Sequence, residues 1–318
     1  MTKSFDIIAL GELNVDLLLN KIEGFPEVGK EIFAKNMNLT LGSSTAIFAA
    51  NSASLGAKVS FLGMIGKDAF GSIVKDSLKD RGVDTSNLIE MSDEATGLTV
   101  VMNYGSDRAN VTYPGAMSRL GFENVDEKVI ASAKHVHISS IFLQDRLSRD
   151  LYEIVRLIKR HNVTISIDTQ WDPSEKWDFD YKRTLPLTDV FMPNDKELMA
   201  LTGTSSVEDA VGEIQDYINV LVVKMGSEGS LMVTKDGKRT FLKSFLNSNV
   251  VDAIGAGDSF NAGFVSSFVK GEQLERCQYM GNLMGAINTT AVGGTGAFSS
   301  KSEIVRVAKE NFGQIISV

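Results

Sequence analysis

Six short runs of apolar residues recur along the chain: FDIIAL from Phe5, KVSFLGMIG from Lys58, HVHIS from His135, VTISID from Val163, DVFMP from Asp189 and NVLVVKMG from Asn219. Rich in β-branched residues, they read as buried strands. Between several of them the apolar spacing becomes helical. In SRDLYEIVRLIKRH, Leu151, Ile154, Val155 and Ile158 fall on one face and Ser148 stands as the N-cap. In SSVEDAVGEIQDYI, Ser205 precedes Glu208 by three positions, a capping-box spacing. Strands alternating with helices predict an α/β fold whose mainly parallel sheet is covered on both faces.

Two segments break the rhythm. Residues 13–40 and 95–117 carry alternating polar and apolar positions without a helical period, as in GLTVVMNYGSDRANVTY. They predict antiparallel strands with one wet face, added to the α/β body as a small lid within a single domain, 1–318. Such a lid leaves an apolar face that a second copy of the chain would cover, so a homodimer is expected.

Composition narrows the partners. The chain has 318 residues with 32 basic and 40 acidic side chains, a net charge of −8. That balance argues against a nucleic acid or an anionic membrane, both of which call for a basic patch. Cys277 is the lone cysteine, so no intrachain disulfide forms. The opening MTKSFDIIALGELNVD turns polar too early for a signal peptide, and no run approaches the roughly 18–20 apolar residues of a membrane span. A cytoplasmic enzyme is the expectation.

Three glycine-bearing stretches invite a phosphate. GFPEVGKE, Gly24 to Glu31, nearly matches a P-loop but has Glu31 where a magnesium-binding hydroxyl belongs, and Pro26 removes a loop N–H. It reads as a turn. After the first strand, GELNVD lacks the G-x-G-x-x-G of a dinucleotide site. VVDAIGAGDSFNAGF differs. Gly255, Ala256 and Gly257 let backbone approach a ligand closely, and Phe260, Phe264 and Phe268 mark the helix that follows. A helix N-terminus presents unpaired N–H groups to an anion. Asp258 beside it is either an N-cap or a base that takes a proton from an attacking hydroxyl.

GAGDSFNAGF closely resembles the signature of the ribokinase-like, pfkB-type carbohydrate kinases. GELNVD resembles that family's sugar-binding first loop, and LGSSTAIFAANSASLGAKVSFLGMIGKDAFG its second signature. MPNDKE resembles its N-x-x-E element, and VVKMGSEGSLMV its nucleotide-binding strand-turn-strand. The motifs occur in family order over residues 6–298. The resemblance implies a three-layer α/β fold with a small β-sheet lid, and transfer of the γ-phosphate of ATP to a sugar hydroxyl with Asp258 as general base. It implies that the backbone of Gly255, Ala256 and Gly257 forms an anion hole. Asn194 and Glu197 match positions that organise Mg2+, largely through water; locally the same pair reads as a capping box. Gly226, Ser227 and Gly229 match the nucleotide loop, though GSEG alone reads as a hairpin turn. Asn282 matches a position near the adenine, or else is polar on a solvated helix face. Asp252 matches a monovalent-cation position, so K+ enters as a candidate. Asn14 and Asp16 match ligands of sugar hydroxyls, with Asn14 alternatively a turn former. Gly42 and Ser43 begin the second signature. Arg108 reaches a substrate oxygen or is solvated. Lys224 touches phosphate or ends a strand.

The chain departs from the pattern in two segments. The paired glycines of the second signature are Gly42 and Ser43, and Ile47 stands at the sugar-binding asparagine, which moves that contact to Ser43, Ser44 or Thr45 if it exists. In DTQWDPSEKW, Gln170 and Asp172 replace the asparagine and arginine of a D-x-N-x-R segment; Asp172 is expected to repel a sugar acid. The alternatives to a sugar kinase are a nucleoside kinase of the same fold and a sugar- or nucleotide-binding sensor.

Overall fold

The computed structural model describes residues 3–104 and 107–318, apart from the side chain of Asp107. In chain order the elements are β1 (Phe5–Leu10), β2 (Asn14–Ile22), β3 (Ala34–Leu41), α1 (Ser44–Ser54), β4 (Val59–Gly66), α2 (Ala69–Asp80), β5 (Leu88–Met91), β6 (Gly97–Tyr104) and β7 (Asp107–Tyr113). Then come α3 (Glu127–Ala131), β8 (Ala133–Ser139), α4 (Asp145–Arg160), β9 (Thr164–Asp168), α5 (Tyr181–Thr184), β10 (Val190–Phe191), α6 (Asp195–Thr202), α7 (Val207–Ile214) and β11 (Val220–Lys224). β12 (Gly229–Thr234), β13 (Arg239–Lys243), α8 (Ala256–Phe268), α9 (Leu274–Asn288) and α10 (Lys301–Phe312) complete the chain.

A nine-stranded sheet runs β13-β12-β11-β10-β9-β8-β1-β4-β5. It is parallel from β11 to β5, and β12 and β13 return as an antiparallel edge. Its inner strands, such as β4 and β11, read as nearly continuous apolar runs because both faces are covered. Ile7 and Ala9 of β1 enter one core with Phe48, Phe264 and Leu283 of α1, α8 and α9; Ile8 and Leu10 enter the other with Leu151 and Ile154 of α4 and Val211 of α7. This is the doubly covered α/β layering that the pattern predicts.

The irregular segments build the second sheet, β3-β2-β6-β7, with β2 and β6 parallel and the other pairs antiparallel. The turn between β2 and β3 holds the P-loop look-alike, whose residues Gly24 to Glu31 are all exposed. Gly105 and Ser106, in the β6–β7 turn, lie outside the described residues.

Two helix starts differ from expectation. α4 begins at Asp145 and Ser148 lies inside it, its N–H donating to the Gln144 carbonyl at 2.9 Å. Leu147 is buried with the predicted face, so the apolar stripe extends one turn upstream. α7 is capped by Ser206, not Ser205; the Ser206 hydroxyl accepts the Asp209 N–H at 3.1 Å. No helix among the described residues is long and apolar enough to cross a membrane.

Parallel topology puts the carboxyl ends of β1, β8, β9, β10 and β11 along one edge, where open α/β sheets receive ligands. Ser43, Ser140 and Gln170 at that edge hold positive φ angles of 69°, 53° and 57°. Left-handed backbone costs a non-glycine residue about 1 kcal/mol or more and persists where surrounding structure enforces it.

Candidate active site

The glycine approach to Asp258 makes a tight left-handed entry into α8. Gly255 is the N-cap with φ 76°, and a Cβ there would lie 2.5 Å from the Gly294 Cα. Only glycine satisfies both demands. Asp258 is therefore third in the helix and does not cap it, which removes the cap alternative. The Ala256 N–H donates to the Ala253 carbonyl at 3.2 Å. The amides of Gly255 and Gly257 have no acceptor among the described residues. The free donors of the expected anion hole are thus the two glycines.

Asp258 is buried at the carboxyl edge of the sheet. Its Oδ1 accepts from the Ser44 hydroxyl, at the first position of α1, and from Gln170 Nε2 at 3.0 Å. Oδ2 has no protein partner among the described residues. Burial raises its pKa to about 7; the Ser44 bond and Lys224 oppose the rise, and Asp168 and Glu12 add to it.

Behind Asp258 lies a buried polar cluster. Asp168 ends β9, and its Oδ2 receives Lys224 Nζ at 2.5 Å, Asn261 Nδ2 at 2.5 Å and Gln170 Nε2 at 3.1 Å. Lys224 thus both ends β11 and carries a buried ion pair. Its ammonium also lies beside the first turn of α8, 3.6 Å from where a Gly257 Cβ would stand. Burial disfavours its charge, but Asp168 and Glu197 outweigh that and raise its pKa.

Asn194 and Glu197 do form the capping box of α6: the Glu197 N–H donates to Asn194 Oδ1 and the Asn194 N–H to Glu197 Oε2, each at 2.8 Å. Glu197 is buried, and burial, then the charge of Asp168, push it up to about 7. No group of three or more His, Cys, Asp or Glu able to hold a metal occurs among the described residues. The pair offers a cation one carboxylate and one amide.

The second cluster lies on the small sheet. Asn14 Nδ2 donates to Asp16 Oδ1 at 2.8 Å and to Thr99 Oγ1 at 3.1 Å. Burial lifts Asp16 to about 6, against the pull of Asn14 and of Arg108, which is exposed. A Cβ on Gly42 would lie 2.3 Å from Asp16 Oδ1, so a glycine is needed for the chain to pass.

Residues 42–45 join the clusters. Ser43 takes a glycine-like φ, caps α1 by accepting the Ala46 N–H at 2.8 Å, and donates to the Glu12 carbonyl at 2.7 Å. Glu12, buried and raised in pKa by that burial, accepts from the Ser43 and Thr45 hydroxyls and the Thr45 N–H. It thus grips both neighbours of Ser44. Ile47 is buried, with its side chain where a Gly294 Cβ would stand. It is a core residue.

Other sequence candidates lie elsewhere. Gly226, Ser227 and Gly229 form the β11–β12 hairpin turn. Asn282 is buried, not solvated, and its Nδ2 donates to the Leu242 carbonyl of β13 at 3.1 Å. Asp252 accepts the N–H groups of Ile254 and Gly293, each at 2.9 Å, bracing the approach to α8. Asp172 turns into its own loop, accepting from the Trp177 N–H at 2.7 Å and from the N–H and hydroxyl of Ser174 at 2.8 Å. Those donors favour its charged form and hold it in the loop after β9. Glu12, Asp168 and Asn261 were not among the sequence candidates. Asn261 carries a local signal, falling three residues after Asp258 on the same helix.

Comparison with known proteins accords with this geometry. The chain is 29% identical to an ATP-dependent ribose-1-phosphate kinase of Halopiger xanaduensis, covering 92% of this chain and 94% of that protein. It is 30% identical to a 5-dehydro-2-deoxygluconokinase of Geobacillus kaustophilus, covering 83% and 81%. The solved Arabidopsis thaliana ribokinase, complexed with ribose and ATP, superposes with a TM-score of 0.80 at 24% identity over 97% of this chain and 99% of that one, sharing the fold. Residues 4–301 match the pfkB family of carbohydrate kinases, and the chain belongs to that family.

Proposed function

We propose that the protein transfers the γ-phosphoryl group of ATP to a hydroxyl of a small sugar, with Asp258 as general base. The observation that carries this reading is Asp258 at the N-terminus of α8, with Oδ1 held and Oδ2 left to an acceptor. The acceptor oxygen forms a bond to Pγ as the bond from Pγ to the bridging oxygen of ADP breaks, and its proton passes to Asp258 Oδ2. The amides of Gly255 and Gly257 meet the charge that develops on the phosphoryl oxygens. Mg2+, when bound, neutralises phosphate charge. Glu197 and Asn194 would hold it through water, which suits an ion that keeps several waters.

Asn14 and Asp16 bind acceptor hydroxyls, and the small sheet closes over them as a lid that excludes competing water. The hairpin of Gly226, Ser227 and Gly229 and the helix bearing Asn282 border the nucleotide. Met37, Val111 and Tyr113 are large apolar side chains exposed on the small sheet. A second copy of the chain covers them, and a monomeric mass by light scattering at micromolar concentration would contradict that.

The test is a coupled ADP-release assay with ribose, ribose 1-phosphate, fructose, 5-dehydro-2-deoxygluconate and adenosine. A sugar-dependent rate that vanishes in Asp258→Asn is the expected result. Release with adenosine alone would make the chain a nucleoside kinase, and binding without release would make it a sensor. Exchanging K+ for tetramethylammonium in the same assay tests potassium.

A further inference from the structure

We propose that Gln170 is a positioning residue for the base: its carboxamide ties Asp258 Oδ1 to the buried Asp168–Lys224–Asn261 cluster and stabilises the carboxylate by direct donation. The proposal rests on the reading of Asp258 as base. Nε2 lies 3.0 Å from Asp258 Oδ1 and 3.1 Å from Asp168 Oδ2, so its two hydrogens serve two carboxylates. That arrangement fixes which end of the amide faces them, because the carbonyl oxygen there would meet two acceptors. The Gln170 N–H adds a third contact, to Asp168 Oδ1 at 3.3 Å. Gln170 holds a φ of 57°, a conformation that costs a glutamine free energy and that these contacts enforce.

The cluster behind it is rigid for a physical reason. Asp168 is fully buried, and Lys224, Asn261 and Gln170 all donate to its Oδ2. A carboxylate so placed cannot swing, and Gln170 transmits its position to Asp258.

Several groups face Asp258. Ser44 reaches it from α1, Asp168 and Gln170 from the end of β9, and Lys224 from the end of β11, while the charge of Glu12 acts from the loop after β1 and that of Glu197 lies in α6. Asp168 and Glu12 disfavour a charged Asp258, Asp258 and Glu197 repel one another when both are charged, and Lys224 is already paired to Asp168. The direct donors that favour its charge are Ser44 and Gln170. Removing the Gln170 donor should make Asp258 harder to ionise.

The experiment is a titration of the substrate-free protein by 13C-carboxyl NMR with labelled aspartate, the Asp258 signal being the one lost in Asp258→Asn. Two variants are compared with the parent. Gln170→Ala removes the amide, and Gln170→Gly does so while relieving the left-handed backbone. In both, the Asp258 midpoint is expected to rise by about one pH unit, the scale of one hydrogen bond to a charged group. The acid limb of kcat/KM should move up with it, while activity at pH 9 returns to within about threefold of the parent. An unmoved midpoint in the folded Gly variant would overturn the proposal. So would a loss of kcat by one factor at every pH, which marks a structural role only. Parent-like turnover in Asp258→Asn would instead remove the base reading on which the positioning role rests.

Discussion

Around Asp258 the polar side chains answer one another, with Asp168, Lys224, Asn261 and Asp258 buried and Gln170 and Ser44 partly so: Lys224 and Asn261 on Asp168, Gln170 on Asp168 and Asp258, Ser44 on Asp258. On the small sheet the buried Asn14 donates to Asp16 and to Thr99, while Arg108, Met37 and Val111 are exposed. The first region sits at the carboxyl edge of the large sheet; the second stands on a four-stranded sheet whose edge strand β3 is exposed along most of its length. Phosphoryl transfer needs donors and base fixed before reaction, because reorganising them would raise the barrier. Acceptor recognition tolerates a surface that moves, and local stability follows buried contact. The half proposed to carry the reaction is therefore expected to be the more rigid one.

The largest expected effect breaks the rigid half at its centre. Asp258→Asn should lower turnover by about 10² to 10⁴-fold, the usual contribution of a general base, while the protein still folds. In the parent, kcat/KM should fall as pH drops through about 7, where Asp258 takes up its proton. The stability effect has the opposite sense. A carboxyl whose folded pKa is raised favours folding in its neutral form, so its contribution is full below its ordinary value and is lost as pH rises through about 7. Asp258→Asn removes that loss. Thermal melts should then show the variant gaining on the parent between pH 5 and pH 8, and a constant difference across that range would contradict the burial argument.

Next comes the anchor. Lys224→Met leaves Asp168 buried without its cation, which should cost about 3–5 kcal/mol of unfolding free energy in a urea titration. A lysine that served only to touch phosphate would leave that titration unmoved. The same kind of change on the small sheet should leave folding nearly intact and show itself in binding. Asp16→Ala should raise the acceptor KM by about 10 to 100-fold, the scale of one or two hydrogen bonds to a charged group, with a smaller change in kcat. A large loss of stability in that variant would erase the contrast between the halves.

How far this contrast was legible in sequence depends on distance along the chain. β1 reads directly as Phe5–Leu10 because a doubly covered strand carries a continuous apolar run, here Ile7 to Leu10. The Asn194–Glu197 box reads equally well because two residues three positions apart specify it. The helix starts expected at Ser148 and Ser205 are also local, but there an extra turn of apolar residues, or a neighbouring serine with the same chemistry, sets the observed start. Asp258 looked like a cap because aspartate favours that position; the left-handed glycine three residues earlier took it. The contacts that define the reaction half could not be read at all. Gln170 meets Asp258 across 88 positions and Ser44 meets it across 214, and only the topology brings them to one edge.

The smallest effect sits where the two halves join. Ser43 was a candidate for contacting the acceptor, but its hydroxyl already accepts the Ala46 N–H and donates to the Glu12 carbonyl. Its φ of 69° belongs to the region where glycine is at ease. Ser43→Gly therefore sets two terms against each other. Relief of left-handed strain gains about 1 kcal/mol. Exchanging a serine cap for glycine costs a few tenths, and the lost bond to Glu12 costs about 1 kcal/mol. The melting temperature should move by no more than about 2 °C. The acceptor KM should stay within about twofold, since no transition-state or ground-state contact is removed. A tenfold rise in KM with an unchanged melting temperature would place the Ser43 hydroxyl on the acceptor. The rigid half would then reach past Ser44 and take part in choosing the sugar.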